Sequence, residues 1–154
     1  MRARLLSVAL LVGLIAAGTL PVQASSLPFV QGRVSALELC PKSLCGAAIF
    51  VGVFAGQVGA GPALGTVAVA VTHEDLPDPG ESADITGGQW VIQLLSGRKL
   101  SGLVAGGTLI NNGDDTFEVR VAMLLTGGGV GTLRFGGTLS HRVFPPTLIG
   151  TLLP

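Results

Sequence analysis

The chain has 154 residues, of which 24 are glycine, 48% are apolar and 12% are charged, and its formal net charge at pH 7 is zero. A single domain is expected at this length, and the high apolar fraction excludes an intrinsically disordered chain. The balanced charge argues against a nucleic-acid-binding protein, because contacts to phosphate groups require an excess of Lys and Arg.

Residues 1–24 have the three parts of a secretory signal peptide. Arg2 and Arg4 supply the positive start, residues 5–17 form an apolar run, and Val22 and Ala24 occupy the positions that signal peptidase reads. The apolar run is shorter than the roughly 20 residues that a transmembrane helix needs. We therefore expect cleavage after Ala24 and export to the periplasm or the extracellular space.

The mature chain, residues 25–154, is then expected to be a single domain that does not span the membrane. It contains seven Lys and Arg against nine Asp and Glu, a net charge of −2. A domain of this size buries about two-thirds of its surface on folding, so it does not depend on several disulfides.

Cys40 and Cys45 are separated by four residues and lie between two strand-like segments. In an oxidising compartment, the expected state of such a pair is a local disulfide. A redox pair usually has two residues between its cysteines, and a metal site would need further Cys or His residues nearby. The spacing therefore favours a structural disulfide, and no metal site is predicted.

Alternating and β-branched segments separated by turn residues recur through the mature chain, and no convincing helical period interrupts them. In residues 116–125, for example, Phe117, Val119 and Met123 share one strand face, and this face is expected to point to the core. The eight candidate strands are residues 28–38, 47–58, 64–73, 88–95, 99–110, 115–126, 130–141 and 146–153.

Most connections between these strands are short, but residues 74–87 carry five acidic residues and two prolines and are expected to form a long surface loop. Eight sequential hairpin-linked strands predict an all-β fold, a small antiparallel eight-stranded barrel. A two-sheet β-sandwich is the alternative.

Residues 49–71 depart from the pattern of a strand with one polar face. Ile49 and Val51 alternate with Phe50 and Phe54, so both faces of this strand are apolar. A barrel wall in contact with water should not look like this, and we expect the N-terminal segment or a second subunit to cover it. Tolerated exposure of Ala and Val at a sandwich edge is the alternative interpretation.

An outer-membrane barrel is disfavoured for two reasons. The chain has six Phe, one Trp and no Tyr, too few for the aromatic girdles of such barrels. Glu118, Arg120 and Arg134 also fall on the outward positions of their strands.

Two related segments place the histidines at strand ends. Residues 72–77 and residues 140–145 each contain a hydroxyl residue, a His, an apolar residue three positions later and a Pro four positions later. These segments end the third and seventh candidate strands. In an up-and-down barrel those two strands run in the same direction, so both histidines lie at one rim. They are four strands apart, too far to share a metal ion. The candidate ligand-binding residues are His73, Glu74, Asp75 and His141; the alternative is that each His simply caps a strand end.

No catalytic motif with defined spacing is present in the sequence. There is no nucleophile elbow, no second His for a helical zinc site and no Lys-Ser/Thr pair after the glycine runs. We therefore predict no catalytic residues and no cofactor. Trp90 is expected in the core, with a cavity wall as the alternative.

Residues 125–139, with glycine at 127–129, 131, 136 and 137, resemble the glycine-rich strand pair of dirigent and allene-oxide-cyclase-like barrels. The mature chain is also similar in style to small exported bacterial proteins of unknown function. The resemblance implies an eight-stranded barrel, often oligomeric, with a central pocket for a hydrophobic small molecule. The pocket acids and tyrosines of those families have no matching positions here, so their activity is not implied.

Three functions remain open at this point. The sequence favours a binding or structural module without catalysis, which could hold a small apolar ligand, over a cofactor-free isomerase or cyclase and over an extracytoplasmic assembly subunit. A buried, unpaired acid or His facing a cavity would favour the enzyme. An interior filled by its own side chains would exclude it; the candidates to fill it are Phe117, Val119, Phe135 and Leu139.

Overall fold

The computed structural model describes residues 29–154, and the predicted signal peptide at residues 1–24 lies outside the described residues. Within residues 29–154, eight strands close into an antiparallel barrel in which strand order follows chain order. The all-β barrel is confirmed, and the alternative sandwich is wrong. The elements are β1 (Val30–Cys40), α1 (Lys42–Cys45), β2 (Ala48–Val58), β3 (Gly61–His73), β4 (Ser82–Leu94), β5 (Lys99–Asn111), β6 (Thr116–Gly127), β7 (Gly131–Ser140) and β8 (Thr147–Leu153).

The only helix in residues 29–154 is α1, a single turn inside the loop that the Cys40–Cys45 disulfide closes. The predicted disulfide is therefore present. None of the helical structure in this part of the chain has the length or the apolar character of a membrane-crossing segment.

The predicted long loop at residues 74–87 is wrong in its second half, because β4 already begins at Ser82. The register between β3 and β4 shifts next to His73 and leaves Thr86 without a partner in β3, which is a β-bulge. On one side of the bulge the buried residues have odd numbers, as at Ile85, and on the other side they have even numbers, as at Trp90. This reversal hides the strand from a search for regular alternation.

The two ends of the barrel differ. One end carries the short β2–β3, β4–β5 and β6–β7 turns and is called the closed end. Large apolar side chains from six strands pack there, and each of them is almost fully buried: Val30, Phe54, Leu94, Leu100, Leu125 and Leu133. The other end carries the connections β1–β2, β3–β4, β5–β6 and β7–β8 and is called the mouth.

The doubly apolar strand β2 points Phe50 and Phe54 into the barrel and Val51 and Val53 outward. Val53 is 57% exposed. Within residues 29–154, the outer surface of β2 and β3 is thus an apolar wall that is exposed to solvent.

Candidate functional site

A cavity of about 370 Å³ extends from the mouth into the middle of the barrel. Its wall is almost entirely apolar and includes Phe50, Trp90, Val104, Val119, Phe135 and Leu148. Val69, Val71 and Val121 point inward as well but are only partly buried, because their side chains face the cavity. The space lies on the core side of the sheet, so it is a pocket of the fold itself.

The four side chains considered as candidates to fill the interior leave a cavity there. Val119, Phe135 and Leu139 line the cavity, and Phe117 packs with its ring 5.2 Å from the ring of His141. The ring of Phe135 lies against the inward-facing Gly150 of the neighbouring strand β8. A Cβ atom on Gly150 would stand 2.4 Å from Cζ of Phe135.

The ring of Trp90 likewise lies against a glycine of the neighbouring strand. Its indole lies against Gly102 of the neighbouring strand β5, where a Cβ atom would stand 3.0 Å from the indole nitrogen Nε1. Trp90 is 3% exposed and lines the cavity, so the two sequence interpretations, core and cavity wall, are both correct. Within residues 29–154, Nε1 of Trp90 has no hydrogen-bond partner.

Glu38 is the main polar group inside the barrel, and sequence reasoning missed it. Its side chain is 8% exposed, and Nε2 of His141 lies 3.6 Å from its Oε2 atom. No side chain in the described part of the chain donates a hydrogen bond to this carboxylate at normal distance. Burial of a carboxylate is costly unless the group is paired, and Glu38 lines the cavity, so its carboxylate can accept a partner that enters through the mouth.

The position of Glu38 follows from the strand β1. Its inward residues include Val34 and Ala36, and Glu38 continues their parity. The backbone N–H of Glu38 donates to the carbonyl oxygen of Pro146 at 2.8 Å, which ties this end of β1 to the start of β8. The sequence signal that could have identified Glu38 as a cavity residue is an acidic residue at an inward position of a strand.

Three of the four predicted rim residues line the cavity at the mouth: His73, Asp75 and His141. The histidines lie at the ends of β3 and β7, four strands apart around the ring. Glu74 instead lies outside the cavity, where its Oε2 atom accepts a hydrogen bond from the backbone N–H of Asp84 at 3.2 Å. Nδ1 of His73 contacts the carbonyl oxygen of Glu74.

The disulfide loop forms part of the mouth. Pro41, Lys42 and Ser43 line the edge of the cavity, and Nζ of Lys42 lies 3.3 Å from Oδ1 of Asp75 in the β3–β4 connection. This contact is exposed to solvent and joins the two segments that flank the opening. In residues 29–154, no group of three or more His, Cys, Asp or Glu side chains is placed to hold a metal ion.

Comparison of the chain with protein-family models, with curated proteins and with solved structures finds no match. The fold and the cavity therefore define only a class, a closed eight-stranded antiparallel barrel with an apolar interior pocket that opens at one end.

Proposed function

We propose that the protein binds a small apolar molecule in the barrel cavity and does not transform it. The observation that carries this proposal is the apolar cavity of about 370 Å³ with its mouth at one end. Ligand pockets commonly have volumes of about 300–1,000 Å³, and apolar walls that lack contact partners gain dispersion energy when a ligand fills the space. The resemblance of residues 125–139 to dirigent and allene-oxide-cyclase-like barrels points to the same class of ligand.

Trp90 provides the readout for this proposal, because it is the only Trp of a chain without Tyr and it lines the cavity. We expect 1-octanol, an uncharged amphiphile, to shift the Trp90 fluorescence of residues 25–154 in a saturable manner. The variant Val69→Phe places a larger side chain in the cavity and should weaken binding at least about tenfold, or 1.4 kcal/mol. Val53→Phe makes the same change on the outer wall and should leave binding unchanged.

Native mass spectrometry of the protein purified from its own host complements this titration. A small molecule that copurifies with the wild type and with Val53→Phe, but not with Val69→Phe, would support the proposal. A ligand-free protein whose Trp90 emission does not respond to 1-octanol would overturn it, as would equal binding to both variants.

We also propose that the protein is exported and works in the periplasm or outside the cell. The support is the pattern of residues 1–24 together with the Cys40–Cys45 disulfide, a bond that persists mainly in oxidising compartments. The intact mass of the protein from its host tests this directly. A mass equal to residues 25–154 supports export, and retention of residues 1–24 in the cytoplasmic fraction contradicts it.

A second candidate function is a cofactor-free isomerase or cyclase, and the pair Glu38 and His141 favours it. A carboxylate and an imidazole 3.6 Å apart at an apolar pocket are suited to remove a proton at one atom and return it at another. Isomerisation leaves the mass of a molecule unchanged but alters its chromatographic retention. If Glu38→Gln copurifies with an isomer of the wild-type ligand, the enzyme is favoured; if both proteins hold the same compound, simple binding is favoured.

We further propose that a second copy of the chain covers the outer wall of β2 and β3, which is one of the two covers that the apolar pattern of residues 49–71 leads us to expect. This wall exposes Val51, Val53 and Leu64, and neither strand contains an Asp, Glu, Lys or Arg. An uncharged apolar sheet face can pair with its own copy across a two-fold axis.

A further inference from the structure

Charge is distributed unevenly along the barrel axis. All nine acidic residues of the chain lie in the half of the barrel nearest the mouth, either on the mouth connections or in the adjacent ends of strands: Glu38, Glu74, Asp75, Asp78, Glu81, Asp84, Asp114, Asp115 and Glu118. Four basic residues lie toward the closed end: Arg33, Arg98, Lys99 and Arg134. The mouth is therefore strongly negative, and its field attracts cations to the opening.

The basic residues near the mouth are already engaged. Lys42 contacts Asp75, Arg120 contacts Glu118 at 2.7 Å, and Arg142 contacts Asp114. None of these three is paired with Glu38. The cavity carboxylate therefore keeps His141 as its one basic neighbour within salt-bridge distance among the described residues.

The position of Glu38 sets the orientation that a ligand would take. Glu38 pairs with Phe50 near the mouth end of the β1–β2 ladder, whereas Met123 and Leu152 line the cavity at deeper positions. A ligand with one polar end can place that end at the carboxylate and its apolar body in the deeper part. An anionic end would be repelled by the carboxylate, and a purely apolar ligand would leave it with His141 as its one partner within salt-bridge distance among the described residues.

We propose that the cavity binds an apolar amine in its protonated form, with the ammonium group donating hydrogen bonds to the carboxylate of Glu38. This inference rests on the proposed binding function and names its ligand class. Hydrogen bonds between ionised partners are shorter and stronger than neutral ones, and the carboxylate of Glu38 faces the cavity in which the ligand would lie.

Three probes of equal chain length test the ligand class: octylamine, 1-octanol and octanoate, each titrated into the wild-type protein at pH 7 with Trp90 fluorescence and calorimetry as readouts. We expect the Kd of octylamine to be at least about tenfold lower than that of 1-octanol, with octanoate the weakest of the three. Equal affinity for the amine and the alcohol would overturn the inference, and this comparison needs no variant.

Two matched variants show which negative charge strengthens the binding of octylamine. Glu38→Gln keeps the shape of the side chain and removes its charge, and it should raise the Kd of octylamine about tenfold to the level of 1-octanol. Glu81→Gln removes one charge from the β3–β4 connection outside the cavity and should change that Kd by less than about twofold, through the weaker long-range field. An equal loss of octylamine affinity in the two variants would contradict direct pairing of the ammonium group with Glu38.

Different results would contradict the cationic ligand class and the proposed binding function. If 1-octanol binds as tightly as octylamine and Val69→Phe blocks both, the binding function stands and the cationic ligand class is wrong. If none of the three probes changes the emission of Trp90, the binding function itself fails.

Discussion

Gly150 and Phe135 illustrate at the scale of single residues why this chain contains so much glycine. The ring of Phe135 and the carbonyl oxygen of Gly136 occupy the space that a side chain at position 150 would need, so Gly150→Ala must displace the ring or the backbone of β7 or β8. Overpacking of this kind costs about 1–3 kcal/mol. We therefore expect a loss of about that size in the free energy of unfolding, measured by urea denaturation.

Gly136 supplies the matched control for this prediction. It lies in β7 beside the same region of the barrel, and a Cβ atom there would meet no atom within 4 Å. Gly136→Ala should be close to neutral or slightly stabilising, because Ala restricts the unfolded chain more than Gly does. Equal losses in both variants would mean that general strand propensity, and not the contact with Phe135, accounts for the requirement for glycine.

The same residues show what the sequence could and could not predict about the site. The inward parity of Glu38 with Val34 and Ala36 was readable within a single strand. The existence of the cavity was not, because it depends on where aromatic rings lie relative to glycines of neighbouring strands. Phe135 rests on Gly150 and Trp90 on Gly102, and each pairing is a product of strand register and not of local sequence.

Regular alternation predicts a strand well, whereas a strand with a bulge is predicted poorly. In β6 the residues Phe117, Val119 and Met123 face the core as their alternation predicts. In β4 the bulge at Thr86 reverses the parity, so the sequence pattern predicts a loop where residues 82–87 form part of the strand. A further bulge lies in β5 around Ala105, but there the apolar residues on both sides are dense enough to identify the strand.

The disulfide loop is the element whose contribution can be measured separately. The double variant Cys40→Ser/Cys45→Ser opens a loop of only a few residues, for which the chain-entropy model gives a loss of about 2 kcal/mol. Because Pro41, Lys42 and Ser43 line the mouth, we also expect octylamine to dissociate faster in stopped-flow measurements of Trp90 emission.

A reducing agent provides the control for this variant. Reduction should destabilise the wild type to the level of the double variant and leave the double variant unchanged. An undiminished free energy of unfolding in the double variant would show that the loop is held by its other contacts, such as the pair formed by Lys42 and Asp75.

At the scale of the whole molecule, the two sides of the barrel wall have different surfaces. Glu118, Arg120 and Arg134 face outward from β6 and β7, whereas the outer wall of β2 and β3 exposes Val53 and Leu64 and carries no Asp, Glu, Lys or Arg. A monomer that works alone in water rarely keeps an uncharged wall of this kind. The asymmetry supports the proposed dimer, in which this side wall would be buried.

Sedimentation equilibrium should accordingly find the wild type as a dimer. Val53→Asp would bury an unpaired carboxylate in the proposed interface, so we expect its dimer dissociation constant to rise at least about tenfold. Thr132→Asp adds the same charge to the opposite wall on β7 and should leave the dimer intact. A wild-type protein that remains monomeric at all concentrations would overturn the proposal of a second copy.

The same variant tests whether assembly and ligand binding are independent. The proposed interface is a side wall, whereas the cavity opens at the end of the barrel between the β1–β2 and β3–β4 connections. Two copies joined along β2 and β3 therefore keep both mouths accessible. Monomeric Val53→Asp should consequently bind octylamine with the Kd of the wild type. A weaker affinity in the monomer would show that the partner wall shapes the cavity from outside, through the inward side chains of the same strands.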